Sequence, residues 1–434
     1  MGKSMGIKQK LLLPLALLAM LTGQSTWAGP AERAMAKRIH DRLTGVNATN
    51  VAIDTMEALI LAEPACGGGA TLDAIGCGKD AAEYAIDTAQ NSNAYAFYNV
   101  TLKNFAAPWT NEEQTVFAPL NDYTATVVGA IRDGLDFRRI LYDDLLYRGS
   151  NSPAYSNSNN NHYEALETLN PETTGNLANP AILQQTTQTS VRPTVAPAGI
   201  MTSRAGAMAF FSDGTNRAMF RFTLMNHLCT DLEPLKDETR APDRVRRDVS
   251  RSPGGDSRIF LNNCVGCHAG MDGMAGAFAF YEWSYTGDKS TGSLTYTPGA
   301  VTAKHNINQN NFEYGYLTTD DSWVNYWRNG PNSKLGVRFA DDGPAASGWG
   351  PLVNPDANGN ETGNGARSLG IELANSRAFA QCQVDKAFKA VCLRDPNVMS
   401  TDRSARDGFV SNFVGSGYNM REVFTDVAAY CKGS

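Results

Sequence analysis

The chain has 434 residues, a formal net charge of −6 and a sequence pI near 5.5. An acidic surface of this kind argues against nucleic acid and anionic membrane as partners. At 42% hydrophobic and 19% charged residues the composition is that of a packed globular protein.

The N-terminus reads as a secretory signal. Lys3, Lys8 and Lys10 precede the apolar run Leu11 to Leu21, which is too short to span a bilayer. Thr26-Trp27-Ala28 then offers a small-residue cleavage site, so residues 1–28 are expected to be removed. The leader takes three lysines with it and leaves 406 residues at a charge of −9. No later run reaches transmembrane length. The mature protein is therefore expected in the periplasm or secreted, with no membrane span.

Helical spacing recurs along the mature chain. Met35, Ile39 and Leu43 share one face of a stretch from Ala31 to Leu43, with His40 expected on the helix surface. Val51–Leu61 and Asp80–Gln90 also read as helices. Between them Cys66 and Cys77 enclose a glycine-rich loop, which suggests a local disulfide. Val127 to Tyr147 carries core residues at helical spacing. From Gly149 to Ile182 the sequence turns polar and reads as a long loop holding a solvated His162. Helical pattern returns at Ala205–Phe211 and Phe220–Leu228.

Thr239 to Arg258 is rich in arginine. Its charges can pair with Asp243 and Asp248, or bind carboxylates of a ligand through the guanidinium fork. Asp256 can cap a short helix, Ser257 to Cys264. Ala275–Trp283 and Phe312–Arg328 are aromatic, and Ser293–Pro298 reads as a short strand. Leu369–Cys392, Asp402–Phe413 and Asn419–Tyr430 complete the helical reading, the last two as a C-terminal hairpin. The fold expected is mainly α, in several parts, with few short strands. The parts are an N-terminal helical region (29–105), a helical region with a long polar loop (106–195), a third domain (196–330) and a C-terminal helical region (331–434).

That third part contains the one chemically specific motif, Cys264-Val265-Gly266-Cys267-His268. Two thiols two residues apart can each add to a vinyl group of a haem, and the adjacent imidazole can ligate the iron. A thioredoxin-like redox pair would need a βαβ setting, and a structural zinc site a second Cys/His pair; the sequence offers neither. One covalent haem c is expected, attached through Cys264 and Cys267 with His268 as proximal ligand. Arg258 is a candidate for its propionates. For the distal position the sequence offers Met201, Met208, Met225, His227, His305, Met399 and Met420, of which His305 is favoured. The remaining six cysteines permit fifteen pairings. An antiparallel return of the last helix suggests Cys382–Cys431, leaving Cys229 for Cys392.

The runs Gly199-Ile200-Met201-Thr202, Asn226-His227-Leu228-Cys229 and Asn263 to Asp272 resemble a group of exported bacterial monohaem proteins of unknown function with a cytochrome c-like haem site. So do Ile131 to Arg138 and Ser416 to Arg421. The resemblance covers about Phe105 to the C-terminus and implies a mostly helical, exported haem protein without fixing a substrate. In the group the motif is usually followed by Asp-Pro-Leu-Gly; here Asp272 is kept and Gly273-Met274 stands for Pro-Leu.

Two functions fit these residues. One is single-electron transfer to a redox protein partner, which a scaffold this large can dock. The other is a haem-dependent redox enzyme, peroxidase- or oxygenase-like, with an open or displaceable distal position.

Overall fold

Glu63 organises the start of the fold, because its carboxylate accepts backbone N–H groups from Gly78, Lys79 and Asp80, the Lys79 bond at 3.1 Å. These are orphan donors at the start of the helix Lys79–Ile86, where a carboxylate also meets the positive end of the dipole. That helix packs with Pro30–Thr44 and Asn50–Ala62. Ile39, Leu43, Met56 and Ile60 are fully buried at the contacts. His40 is buried as well rather than on the helix surface. Its Nδ1 meets the Thr44 hydroxyl at 3.2 Å and its Nε2 the Asn91 amide at 3.3 Å.

The structure is a computed structural model that describes residues 30–66, 75–212, 216–246, 257–306, 315–335 and 347–433. The expected leader lies outside these residues, as do Asp248 and Asp256. The described chain is mainly helical with a few short strands.

The run Val127–Tyr147 is not one helix. Asp122–Arg132 ends at Asp133, and Gly134 turns the chain with φ +62°. A 3-10 turn, Phe137–Leu141, follows, and Leu146–Gly149 pairs antiparallel with Leu183–Thr186. The polar stretch after it is not a bare loop either. It holds helices Asn161–Glu167 and Pro171–Thr174. His162 is 2% exposed: its Nε2 accepts from the Gly149 N–H at 3.0 Å and its Nδ1 donates to the Pro153 carbonyl at 2.7 Å.

Helices Arg204–Phe210 and Arg217–His227 follow as expected. Ser203 caps the first through the Gly206 N–H at 3.1 Å. Two further antiparallel pairs form, Tyr281–Ser284 with Ser293–Tyr296 and Ser322–Asn325 with Glu361–Asn364. The expected single helix Leu369–Cys392 is two, Gly365–Ala374 and Arg377–Cys392. It breaks at Asn375 because Ser376 caps the second helix through the Phe379 N–H at 3.1 Å. Ser400–Gly415 and Met420–Tyr430 pack together as the expected C-terminal hairpin.

One hydrophobic cluster runs from Met35 to Cys431 and takes side chains from all four expected parts. Val245 and Phe260 form a separate small cluster with Cys264 and Val265. No helix among the described residues is long and apolar enough to cross a membrane.

Cys66 and Cys77 are at bonding distance, as expected, with Cα atoms 4.8 Å apart. The other pairs differ from expectation: Cys229 joins Cys382 and Cys392 joins Cys431. Ser400–Gly415 reverses the chain once and the next turn reverses it again. The last helix thus runs alongside Arg377–Cys392 in the same sense, and its end meets the end carrying Cys392.

Candidate functional site

Cys264 sits at the junction of the helices Ser257–Asn263 and Val265–Ala275. Backbone bonds run through the junction, from Cys264 N–H to Phe260 O at 2.9 Å and from His268 N–H to Cys264 O at 3.2 Å. Cys264, Cys267 and His268 therefore stand at i, i+3 and i+4 of a near-continuous helical path, which places them on one face. Both cysteines are partly buried and lie outside the three disulfides. Cys267 Sγ lies 3.7 Å from the Leu232 carbonyl and 3.9 Å from a Glu233 carboxylate oxygen. Burial, then the Glu233 charge, pushes its thiol pKa up. The Phe260 ring lies 5.6 Å from that of His268, so the face is flanked by the small apolar cluster.

Behind His268 lies a buried polar network. Its Nδ1 meets Asp272 Oδ1 at 3.2 Å, one helical turn on, and the Asp272 side chain is fully buried. Arg217 grips the same carboxylate with both prongs, Nε to Oδ1 at 2.6 Å and Nη2 to Oδ2 at 2.8 Å. The Arg246 backbone N–H adds a bond to Oδ2 at 3.3 Å. Burial opposes ionisation of Asp272, but the Arg217 charge and these hydrogen bonds outweigh it and hold the carboxyl well below the usual range. A neutral imidazole that donates Nδ1–H to this carboxylate carries its lone pair on Nε2, the nitrogen a metal needs.

Glycine lets this helix approach its neighbour. A Cβ at Gly270 would lie 2.1 Å from Trp327 Nε1, and one at Gly273 2.9 Å from the Val324 carbonyl oxygen. The helix thus rests directly on the segment Ser322–Arg328.

His305 does not face this site from an opposite side. It is fully buried, with Nε2 against the Asn216 amide at 2.8 Å and Nδ1 against the Arg246 guanidinium. Burial, then the nearby Arg246 and Arg217 cations, lowers its pKa to about 2. It belongs to the network behind Asp272. His227 is 1% exposed and bonded through Nε2 to the Tyr123 hydroxyl at 2.8 Å. Met201 and Met420 are core residues, Met208 and Met225 pack against that core, and Met399 is exposed.

The arginine-rich run divides in the structure. Arg240 stacks on Tyr326 and Arg244 on Tyr316, at 4.7 and 4.6 Å from the ring centroids. Arg246 is buried in the network, and Arg258 stands exposed on the short helix before Cys264. The aromatic stretch after the motif faces the main core, where Phe278 and Tyr281 both pack on Phe211.

Sequence reading paired Cys264, Cys267 and His268 but missed the group that orients the histidine. The i+4 position of Asp272 was a readable signal for it. Arg217, 55 residues away in sequence, left none.

The residues present fit a covalently held haem. Two unpaired thiols and a partly buried imidazole with its Nδ1 already engaged share one face beside apolar side chains. Comparison with protein-family models, with curated proteins and with solved structures finds no match.

Proposed function

We propose that this chain is an exported monohaem c-type cytochrome that transfers single electrons to a redox protein partner outside the cytoplasm. The observation that carries the reading is the shared face of Cys264, Cys267 and His268, with His268 Nδ1 held at the Asp272 carboxylate so that Nε2 is the ring nitrogen left for a metal. A haem bound there supplies a ferric/ferrous couple that takes up and returns one electron. Cys264 and Cys267 would tether it, His268 would ligate its iron, and Arg258 is within the same helical segment for a propionate. The acidic mature surface suits a partner that presents positive charge.

A pyridine haemochrome assay on the exported protein should return one haem per chain. The double variant Cys264→Ser/Cys267→Ser should return essentially none, and full haem occupancy in it would overturn the attachment.

One observation favours the second reading, a haem-dependent redox enzyme with an open distal position. His40, His162 and His305 have both ring nitrogens engaged, and His227 is buried in the core. Absorption and EPR spectra of the ferric protein separate the two. A low-spin signal unmoved by cyanide or peroxide supports the carrier; a high-spin signal that shifts with them supports the enzyme.

A further inference from the structure

We infer that Asp272 is a positioning residue for His268 as an iron ligand, and that its carboxylate biases the one-electron couple of that site toward the ferric state. The inference rests on the haem reading above and concerns what this chain does to the ligand it offers.

The geometry sets Asp272 apart from a simple counter-ion of Arg217. Arg217 occupies both carboxylate oxygens at 2.6 and 2.8 Å, which fixes the plane of the group. The Arg246 backbone N–H pins Oδ2 from another segment at 3.3 Å. Oδ1 is then left pointing at His268 Nδ1, 3.2 Å away on the same helix. Arg246 is itself anchored, because its guanidinium meets His305, whose other nitrogen meets Asn216. Asn216 in turn donates to the Phe278 carbonyl in the main core. The orientation of the His268 ring is thus fixed by a buried chain of groups that ends in the core.

A ligating imidazole that donates its second N–H to a carboxylate is a stronger electron donor than one bonded to a neutral acceptor. A stronger donor stabilises the more highly charged iron. The bias is toward ferric, which lowers the reduction potential. Arg217 tempers the effect by drawing on the same oxygens, so the two residues oppose each other.

The test is a spectroelectrochemical titration of the haem-loaded protein. Asp272→Asn should raise the potential, but it also removes a negative charge. The double variant Asp272→Asn/Arg217→Gln removes one charge of each sign and leaves the local net charge unchanged. Its ferric/ferrous ratio at fixed ambient potential should still fall about tenfold, equivalent to about 59 mV for one electron. A double variant that returns to the wild-type potential would reduce the role of Asp272 to bulk charge and overturn the inference. Where the variants lose haem, the unaltered protein decides. Its ¹⁵N-histidine NMR spectrum should show the His268 Nδ1–H protected from exchange with D₂O, and rapid exchange there would overturn the inference. Absence of haem from the wild-type protein would instead overturn the reading of function.

Discussion

Arg328 and Glu372 meet as a two-pronged pair, Nε to Oε1 at 2.8 Å and Nη2 to Oε2 at 2.6 Å, with 6% and 5% of their side chains exposed. Asn325 donates a further bond to Oε1 at 2.6 Å. The pair fastens the helix Gly365–Ala374 to the segment on which the Cys264–His268 helix rests. Breaking a buried pair from one side leaves the other charge without compensation. Glu372→Gln should therefore cost about 3–5 kcal/mol in urea unfolding. Replacing both, as Arg328→Met/Glu372→Leu, should recover much of that loss. Equal destabilisation by the single and double variants would show that the pair holds the fold by shape alone.

The three disulfides close segments of very different length, with sequence separations of 11, 153 and 39. A digest of the unreduced protein should yield linked peptides for Cys229–Cys382 and Cys392–Cys431. Recovery of Cys382–Cys431 would contradict the parallel placement of the last helix. Loop-closure entropy rises with the length enclosed, from about 3 kcal/mol for a 15-residue loop to about 4.7 for 100 residues. Cys229→Ser/Cys382→Ser should therefore destabilise more than Cys66→Ser/Cys77→Ser.

What could be read from the sequence depended on how local the cause was. Met35, Ile39 and Leu43 announce their helix by spacing alone, and the Cys264–His268 motif is complete within five residues. Val127–Tyr147 failed because helical periodicity continues past Gly134, although the φ of +62° there ends the helix. His40 and His162 were misjudged for a different reason. Each looks polar in its own stretch, but its burial depends on partners elsewhere, such as Asn91 for His40 and the Pro153 carbonyl for His162. The disulfide pairing turned on one extra reversal between Cys392 and Cys431, a fact of topology that spacing does not carry.

Gly270 offers a direct test of how the motif helix is held. Its absent Cβ makes room for Trp327, whose indole nitrogen would lie 2.1 Å from that atom. Gly270→Ala should force the helix and the Trp327 segment apart and cost about 1–3 kcal/mol. It should also lower the haem content per purified chain, since His268 rides on the same helix. Gly408 is the control: it lies in the helix Ser400–Gly415 with nothing within 4 Å of its Cβ position. Gly408→Ala should be neutral or stabilise by about 0.5–1 kcal/mol. The same thermal shift for both variants would mean that the close approach to Trp327 does not hold the helix in place.

Lys386 supplies a pH dependence whose sign can be worked out. Its ammonium lies 4.5 Å from the centroid of the Trp109 ring, and burial, with a smaller contribution from Lys389, lowers its pKa to about 7. Unfolding restores the ordinary lysine value of about 10.4. Between those two values the unfolded chain binds more protons than the folded one, so stability rises with pH across that interval. Below about 7 both states carry the charge, and the folded state bears the full cost of burying it. Lys386→Met removes the titrating group and keeps the apolar stem. The variant should be more stable than the wild type at pH 6, and the difference should shrink steadily as the pH approaches 10. Urea midpoints measured in steps between those limits check both the sign and the window. A gap that stays constant over the whole range would show that Lys386 is as well solvated in the folded chain as in the unfolded one.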